Sequence, residues 1–216
     1  MNSDFPVDFD TPRWQGVQRR IGLTGGIASG KSSVAHFLEQ RVGFSILDAD
    51  VYARQALGPG TPLTEAVVDR YGKDVLDTTK FNSITLDRFA LARIIFSDVA
   101  ERLWLEELVH PFVRNCFNYD LLERKNLSVV VLVIPLLFEA NFSDLCSEIW
   151  LVDCDVDQQA HRLSKRDHMS LSEAHLRIKT QWPMERKKSF SDFIIDNSGS
   201  RHSWMPTVLS LVQGSL

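Results

Sequence analysis

The chain has 216 residues, 44% of them apolar, which suits one α/β core with modest insertions. A formal charge of −4 and a pI near 5.9 argue against a protein held to nucleic acid by bulk charge, yet leave room for a local basic pocket for phosphates. Val129 to Phe138, the longest apolar stretch, is about half of the roughly 20 residues that a spanning helix needs, so no membrane partner is expected.

Residues 1–18 carry Asp4, Asp8 and Asp10 and no apolar segment, so they fit neither a secretory signal nor a transit peptide and read as a loose N-terminal extension. The first strand falls at Arg20–Thr24. It leads into Gly25-Gly26-Ile27-Ala28-Ser29-Gly30-Lys31-Ser32, which fits G-x-x-x-x-G-K-[ST] without a mismatch. A helix over Lys31–Arg41 follows, then a second strand at Phe44–Asp48. About 80 residues of helical periodicity come next, read as helices at Pro62–Tyr71, Leu86–Phe96, Asp98–Val109 and Phe112–Arg124, with Ser97 as the cap of the third. A connection this long is more than a crossover helix and reads as an inserted helical subdomain. The third strand, Ser128–Ile134, is a Val, Leu and Ile run suited to burial on both faces. The fourth is expected at Glu148–Val152 and the fifth at Phe193–Asp196, with a last helix after it. Between them Asp155 caps a helix over Val156–Arg166, and Ser170-Leu171-Ser172-Glu173 is a capping box for another, to about Gln181. This alternation predicts a parallel sheet covered by helices on both faces.

The strand–loop–helix setting of the glycine-rich segment makes it a phosphate site. Glycines let several backbone N–H groups point into one concavity, and the helix that starts there adds the positive end of its dipole. Lys31 can reach the outer phosphates and the Ser32 hydroxyl can ligate Mg2+. No Asn-Lys-x-Asp motif is present, and no acid follows the third strand until Glu139, which counts against a GTPase switch and an ATPase motor. Acid stands instead at the end of the second strand, in Asp48-Ala49-Asp50. Residues past the carboxyl ends of strands line the ligand crevice of an open α/β sheet, so Asp50 is a candidate to orient an acceptor hydroxyl and take its proton, with Asp48 acting through metal-bound water. The plain alternative is that either aspartate only caps the next helix. Between strands four and five, Arg162, Lys165, Arg166, Arg177, Lys179, Arg186, Lys187 and Lys188 read either as solvated helix faces or as a mobile basic lid over nucleotide phosphates. The three cysteines, Cys116, Cys146 and Cys154, have no metal-ligand spacing and read as reduced thiols in a cytoplasmic protein.

The run Leu23–Ser32 with Asp48-Ala49-Asp50 resembles the dephospho-coenzyme A kinases. Leu86-Asp87-Arg88, Ile95-Phe96, His110-Pro111, Ile134-Pro135-Leu136-Leu137-Phe138-Glu139, Arg162 with Arg166, Gln181 and Asp196-Asn197-Ser198-Gly199 extend the likeness over about residues 20–200. The resemblance implies a three-layer α/β sandwich with a five-stranded parallel sheet, similar to nucleoside monophosphate kinases, in strand order 2-3-1-4-5. It implies transfer of the ATP γ-phosphate to the ribose 3′-hydroxyl of dephospho-coenzyme A, with Mg2+. By position, Gly25, Gly26, Ile27, Ala28, Ser29, Gly30, Lys31, Ser32 and Ser33 would hold the ATP phosphates. Asp50 would be the base, Arg166 with Arg162 the lid arginines, and Asn197 part of the adenine pocket. Thr24, Asp48, Arg54, Phe96, His110 and Leu137 would lie toward the acceptor. Ala28 stands where the family usually has a third loop glycine, and a methyl is tolerable there if φ stays negative. Lys80–Ile84 lacks the family's Asp-Gly turn.

The expected organisation is an extension over 1–18, a core over 19–50, 127–155 and 190–216, a helical acceptor-binding insertion over 51–126 and a lid over 156–189. His110 before Pro111 reads equally as the end of a helix, and Phe138-Glu139 as core followed by a surface acid. Other small-molecule kinases, and a nucleotide switch without turnover, share the phosphate loop.

Overall fold

The structure, a computed structural model, describes residues 11–79, 84–200 and 202–214. Residues 1–10 of the expected extension and Lys80–Ser83 of the segment without the Asp-Gly turn lie outside these. The described residues divide into two compact units, one comprising those up to Leu47 and again from Arg124, the other those within Asp48–Glu123.

The first unit is built on five strands: β1 (Arg19–Gly25), β2 (Ser45–Asp48), β3 (Val129–Val133), β4 (Glu148–Asp153) and β5 (Phe193–Asp196). They lie in the order β2-β3-β1-β4-β5. Parallel pairing sets Leu23 beside Val133 and Trp150, and Val152 beside Ile195. Helices α1 (Lys31–Phe37) and α9 (Met205–Gln213) cover one face. There Ile21, Leu23, Val34, Leu38, Val131, Val133, Trp150, Val152, Ile195, Trp204 and Val208 form one buried cluster. The alternation of β1 turns Gly22 to the opposite face, where a Cβ would come within 2.8 Å of both Cys146 Sγ and Leu137 Cδ1. Three further helices, α6 (Val156–Asp167), α7 (Leu171–Ile178) and α8 (Met184–Ser189), lie between β4 and β5. Asp155 caps α6 by accepting from the N–H groups of Asp157 and Gln158, and α7 carries the complete Ser170–Glu173 capping box.

Two local expectations are corrected in this unit. The helix after the phosphate loop does not run as one α-helix to Arg41: it passes at Leu38 into a π-helical turn, Leu38–Val42, ended by Gly43 at φ 82°. Residues 13–18 of the expected loose extension are tied down. The Trp14 indole N–H donates to the Gln18 carbonyl, the Gln18 amide donates to the carbonyls of Arg124 and Leu127, and the Arg20 guanidinium lies 3.4 Å from the Trp14 ring centroid.

The second unit is helical: α2 (Ala49–Ala56), α3 (Pro62–Tyr71), α4 (Arg88–Ser97) and α5 (Val99–Glu123). Thr61 caps α3 and Asp87 caps α4. The two helices expected on either side of His110-Pro111 are one, and Pro111 lies inside α5. Leu105, Val109, Val113, Phe117 and Leu121 recur every four residues along one buried stripe. That stripe crosses the proline, so burial outweighs the roughly 3 kcal/mol that an interior proline costs. Ser97 does not cap α5. Its hydroxyl donates to the Ile94 carbonyl at the end of α4, while Asp98 accepts from the N–H of Ala100 at 2.7 Å.

Arg70, Tyr71 and Glu101 join α3 to α5. The guanidinium is bidentate on the carboxylate at 2.6 and 2.9 Å, the phenol donates to it at 2.6 Å, and Arg70 lies 4.5 Å from the Trp104 ring centroid. The two donors hold the Glu101 carboxyl down at about 2. A depressed carboxylate stabilises the fold above its unfolded value, near 4.3, and that stabilisation fades as pH falls through the folded value. Glu101→Gln is therefore expected to melt below wild type at pH 7, and pH-dependent thermal melts should show the difference closing between about pH 4.5 and pH 2.

Candidate active site

The phosphate loop hangs between the carboxyl end of β1 and the first turn of α1. Gly25 at φ 152° and Gly30 at φ 106° take backbone conformations that favour glycine. Ala28 does so as well, at φ 57°, which corrects the expectation that a methyl at that position requires negative φ. A non-glycine residue held there costs of order 1–3 kcal/mol, so the surroundings must enforce it.

They do so with amides. Asn197 Nδ2 donates to the Ser29 carbonyl at 2.7 Å, and a Cβ on Gly30 would overlap that nitrogen. Gln181 Oε1 accepts from the Ile27 N–H at 2.8 Å. Gln159, fully buried, donates to the Cys154 carbonyl at 2.6 Å and packs its oxygen where a Cβ on Gly26 would be. Asn197, expected in an adenine pocket, thus commits its side chain to the loop. The Lys31 ammonium folds back over the loop and donates to the carbonyls of Gly25 and Gly26 at 2.9 and 2.8 Å. Ser32 and Ser33, in the first turn of α1, are exposed.

Beyond β4, Arg162 reaches back across α6. It donates to Cys154 Sγ at 3.2 Å, Gln158 Oε1 at 3.3 Å and the Asn197 carbonyl at 3.0 Å. Arg166 is exposed and paired with Asp167 at 2.7 Å, and Asp167 also meets Arg177 at 3.5 Å. Hydrogen bonding to Arg166 holds the Asp167 carboxyl below its usual range. Lys187 is neither a solvated surface charge nor a lid cation, the two readings its charge pattern allowed. It is fully buried, and its ammonium meets Glu139 Oε1 at 2.8 Å and the Pro135 carbonyl at 3.2 Å. Glu139, expected as a surface acid, also accepts from the Trp182 N–H at 3.0 Å. The Phe138 and Trp182 rings stack nearly parallel beside this pair, at an interplanar angle of 8°. The signal for this clamp was a lone acid ending the apolar run Pro-Leu-Leu-Phe. Gln159 carried no sequence signal.

Two acceptor candidates in this unit are interior. Thr24 is buried, with its hydroxyl 3.4 Å from the Pro135 carbonyl, and Leu137 is fully buried against Gly22. Leu137 packs in the core and shapes the loop after β3.

The remaining candidates belong to the helical unit. Asp48 Oδ1 accepts from the Asp50 N–H at 2.8 Å and caps α2, as its plain alternative reading held. Burial pushes the Asp48 carboxyl above its ordinary value. Asp50 stands in the first turn of α2 with its side chain exposed. Arg54 lies on the last turn of α2 and is exposed, and Phe96 stands in the last turn of α4 with 39% of its surface accessible. His110 lies mid-helix in α5. Burial, aided by the charge of Arg114, holds its imidazole below the usual value and hence neutral at pH 7.

A strand-to-helix phosphate loop at the centre of a 2-3-1-4-5 parallel sheet, with a lysine over its carbonyls and a helical unit inserted after β2, defines a P-loop phosphotransferase. Residues 19–203 match the dephospho-CoA kinase family. A dephospho-CoA kinase of Prochlorococcus marinus strain MIT 9313 is 52% identical over 199 residues, covering 92% of this chain and 98% of that protein. Among solved structures, a Thermus thermophilus protein superposes with a TM-score of 0.75 at 30% identity, covering 93% of this chain and all of that one. The dephospho-CoA kinase of Campylobacter jejuni does so with a TM-score of 0.62 at 25% identity, covering 90% of this chain and 95% of that one. The chain belongs to the dephospho-CoA kinase family, and its activity is that family's: ATP-dependent phosphorylation of the 3′-hydroxyl of dephospho-CoA, the last step of coenzyme A biosynthesis.

Breaking the buried clamp leaves an uncompensated charge. Glu139→Leu, which strands the Lys187 ammonium, is expected to destabilise the chain by about 3–5 kcal/mol in urea denaturation. The double change Glu139→Leu with Lys187→Met should recover most of that loss.

Proposed function

We propose that the γ-phosphate is transferred by a division of labour between the loop residues and the acids after β2. Gly25 to Ser33 bind the ATP phosphates through backbone N–H groups and the N-terminus of α1. Lys31 exchanges its two loop carbonyls for phosphate oxygens and stabilises the charge spread over the transferring group. Asp50 orients the ribose 3′-hydroxyl and accepts its proton as the oxygen bonds to phosphorus and the β–γ bridging bond breaks, releasing ADP. The exposed carboxylate of Asp50, two residues past the end of β2, supports this role. Asp48, whose oxygen caps α2, aims the turn that carries Asp50.

Arg166, released from Asp167, neutralises the phosphoryl group when the exposed outer part of the 156–189 segment closes as a lid, while Arg162 at the base of α6 and the Lys187–Glu139 clamp at α8 stay fixed. Closure excludes water, the competing acceptor. Arg54, Phe96 and His110 serve the acceptor side, with His110 neutral and so suited to a hydrogen bond rather than an ion pair, and the buried Thr24 and Leu137 shape that side from within the core. Asn197 contributes to the nucleotide side through the loop it holds.

The residues suit Mg2+. Ser32 offers an exposed hydroxyl beside Lys31, and no cluster of three or more His, Cys, Asp or Glu stands among the described residues. An ion there would be held by Ser32, phosphate oxygens and water, as Mg2+ prefers. When bound it would neutralise charge on the β- and γ-phosphates. The free thiols Cys116, Cys146 and Cys154 support a reducing, cytoplasmic setting. Among the described residues no helix is long and apolar enough to cross a membrane.

The observation that carries this reading is the phosphate loop, with Gly25, Ala28 and Gly30 at positive φ and Lys31 folded over its carbonyls. A coupled assay for ADP release tests it. Turnover is expected with dephospho-CoA and not with nucleosides or gluconate, and the reverse preference would overturn the acceptor assignment. Asp50→Asn should lower kcat by about 10²–10⁴ while calorimetry still detects ATP binding, and wild-type turnover in that variant would remove Asp50 from the base role. Lys31→Ala should lower kcat/KM by about 10² or more.

A further inference from the structure

Ala28 is the one non-glycine residue of the phosphate loop with positive φ, and it is bracketed. On its amino side the Ile27 N–H donates to Gln181 Oε1 at 2.8 Å, and on its carboxyl side the Ser29 carbonyl accepts from Asn197 Nδ2 at 2.7 Å. Both partners come from segments distant in sequence, Gln181 from the turn after α7 and Asn197 from the end of β5. Ile27 and Ala28 also pack against the buried cluster of Ala160, Leu163 and Ala174 on α6 and α7.

The segment that carries Gln181 is itself fixed. Its neighbour Trp182 donates its N–H to Glu139, which the buried Lys187 ammonium holds at 2.8 Å. The Gln181 oxygen is therefore presented from a clamped turn and not from a loose loop. A residue in a sparsely populated backbone region persists when its surroundings over-determine it, and two side-chain hydrogen bonds plus packing do that here.

We propose that Gln181 is a positioning residue for phosphoryl transfer: by holding the Ile27 amide, with Asn197 holding the Ser29 carbonyl, it keeps Ala28 left-handed and so forms the phosphate cradle before nucleotide arrives. The inference rests on the reading that Gly25 to Ser33 bind the ATP phosphates. It makes the connection after α7 part of the donor site although it touches the loop and not the reacting atoms. Preorganisation of this kind lowers the conformational cost of binding, so its loss appears in nucleotide affinity.

The test is a double-mutant cycle between Gln181→Ala and Ala28→Gly, read by calorimetric ATP affinity and by KM for ATP. Glycine adopts positive φ without strain, so a loop carrying the Ala28→Gly change no longer needs the brace. Gln181→Ala alone is expected to weaken ATP binding about five- to tenfold, and the same change in the Ala28→Gly background by less than about twofold. An equal loss in both backgrounds, or no loss in either, overturns the proposal, because a purely structural contact would not couple to the backbone strain at residue 28. Should Gln181→Ala fail to fold, Gln181→Met keeps the stem and lacks only the acceptor, and it reads the same contrast. Lys31→Ala separates the two readings. If it abolishes ATP binding while Gln181→Ala does not weaken it, the brace is wrong and the phosphate site stands. If Lys31→Ala leaves both ATP binding and kcat/KM intact, the phosphate site itself is wrong.

Discussion

From Gly25 to Gly30 the chain must turn a strand into a helix while aiming its N–H groups into one concavity. That requirement pushes three residues, Gly25, Ala28 and Gly30, to positive φ, where an ordinary side chain is strained. The first unit is arranged around meeting it. β1 lies at the middle of the sheet, so its carboxyl end is flanked by β3 and β4. The residues after β4 and β5 then return amides to the loop: Gln159 against Gly26, and Asn197 on the Ser29 carbonyl. The missing Cβ atoms at Gly26 and Gly30 are filled by these amides, so the glycines serve close packing as much as backbone freedom.

The basic segment between β4 and β5 illustrates how charge is sorted by environment. Arg166 stays in solvent with an adjacent carboxylate, an arrangement weak enough to exchange for phosphate. Arg162 is turned inward onto carbonyl, amide and sulfur acceptors. Lys187 is withdrawn from solvent altogether, and a buried ammonium persists because Glu139 and the Pro135 carbonyl surround it. One run of positive residues thus divides into an exchangeable contact, a strut and an anchor. A lid needs both an exposed charge and a fixed base, and these assignments provide each.

Much of the fold was legible because local rules decide it. The five strands stand where apolar runs put them, Phe193–Asp196 to the residue, and Asp155 and Ser170 cap their helices because capping is a matter of a few adjacent atoms. Local rules misled where a longer-range term competed. His110-Pro111 reads as a helix end, yet α5 passes through because five buried residues on one stripe outweigh a lost hydrogen bond. Ser97 lost the capping role to Asp98 because α4 extends one residue further than its pattern. Glu139 and Lys187 looked like surface charges because nothing near either in sequence announces the other, 48 positions away.

By itself the sequence determined the chemistry of the donor side: a glycine-rich turn, a lysine and a hydroxyl in unbroken succession need no distant partner to be read as a phosphate site. It also determined the strand content and, through resemblance across its length, the acceptor. The tertiary structure decided how that turn is held. Ala28 at positive φ, the amides of Gln181 and Asn197 on either side of it, and the buried clamp beneath Trp182 all depend on residues brought together from separate segments. Backbone strain and side-chain burial are properties of packing, and packing has no local signature in the order of residues.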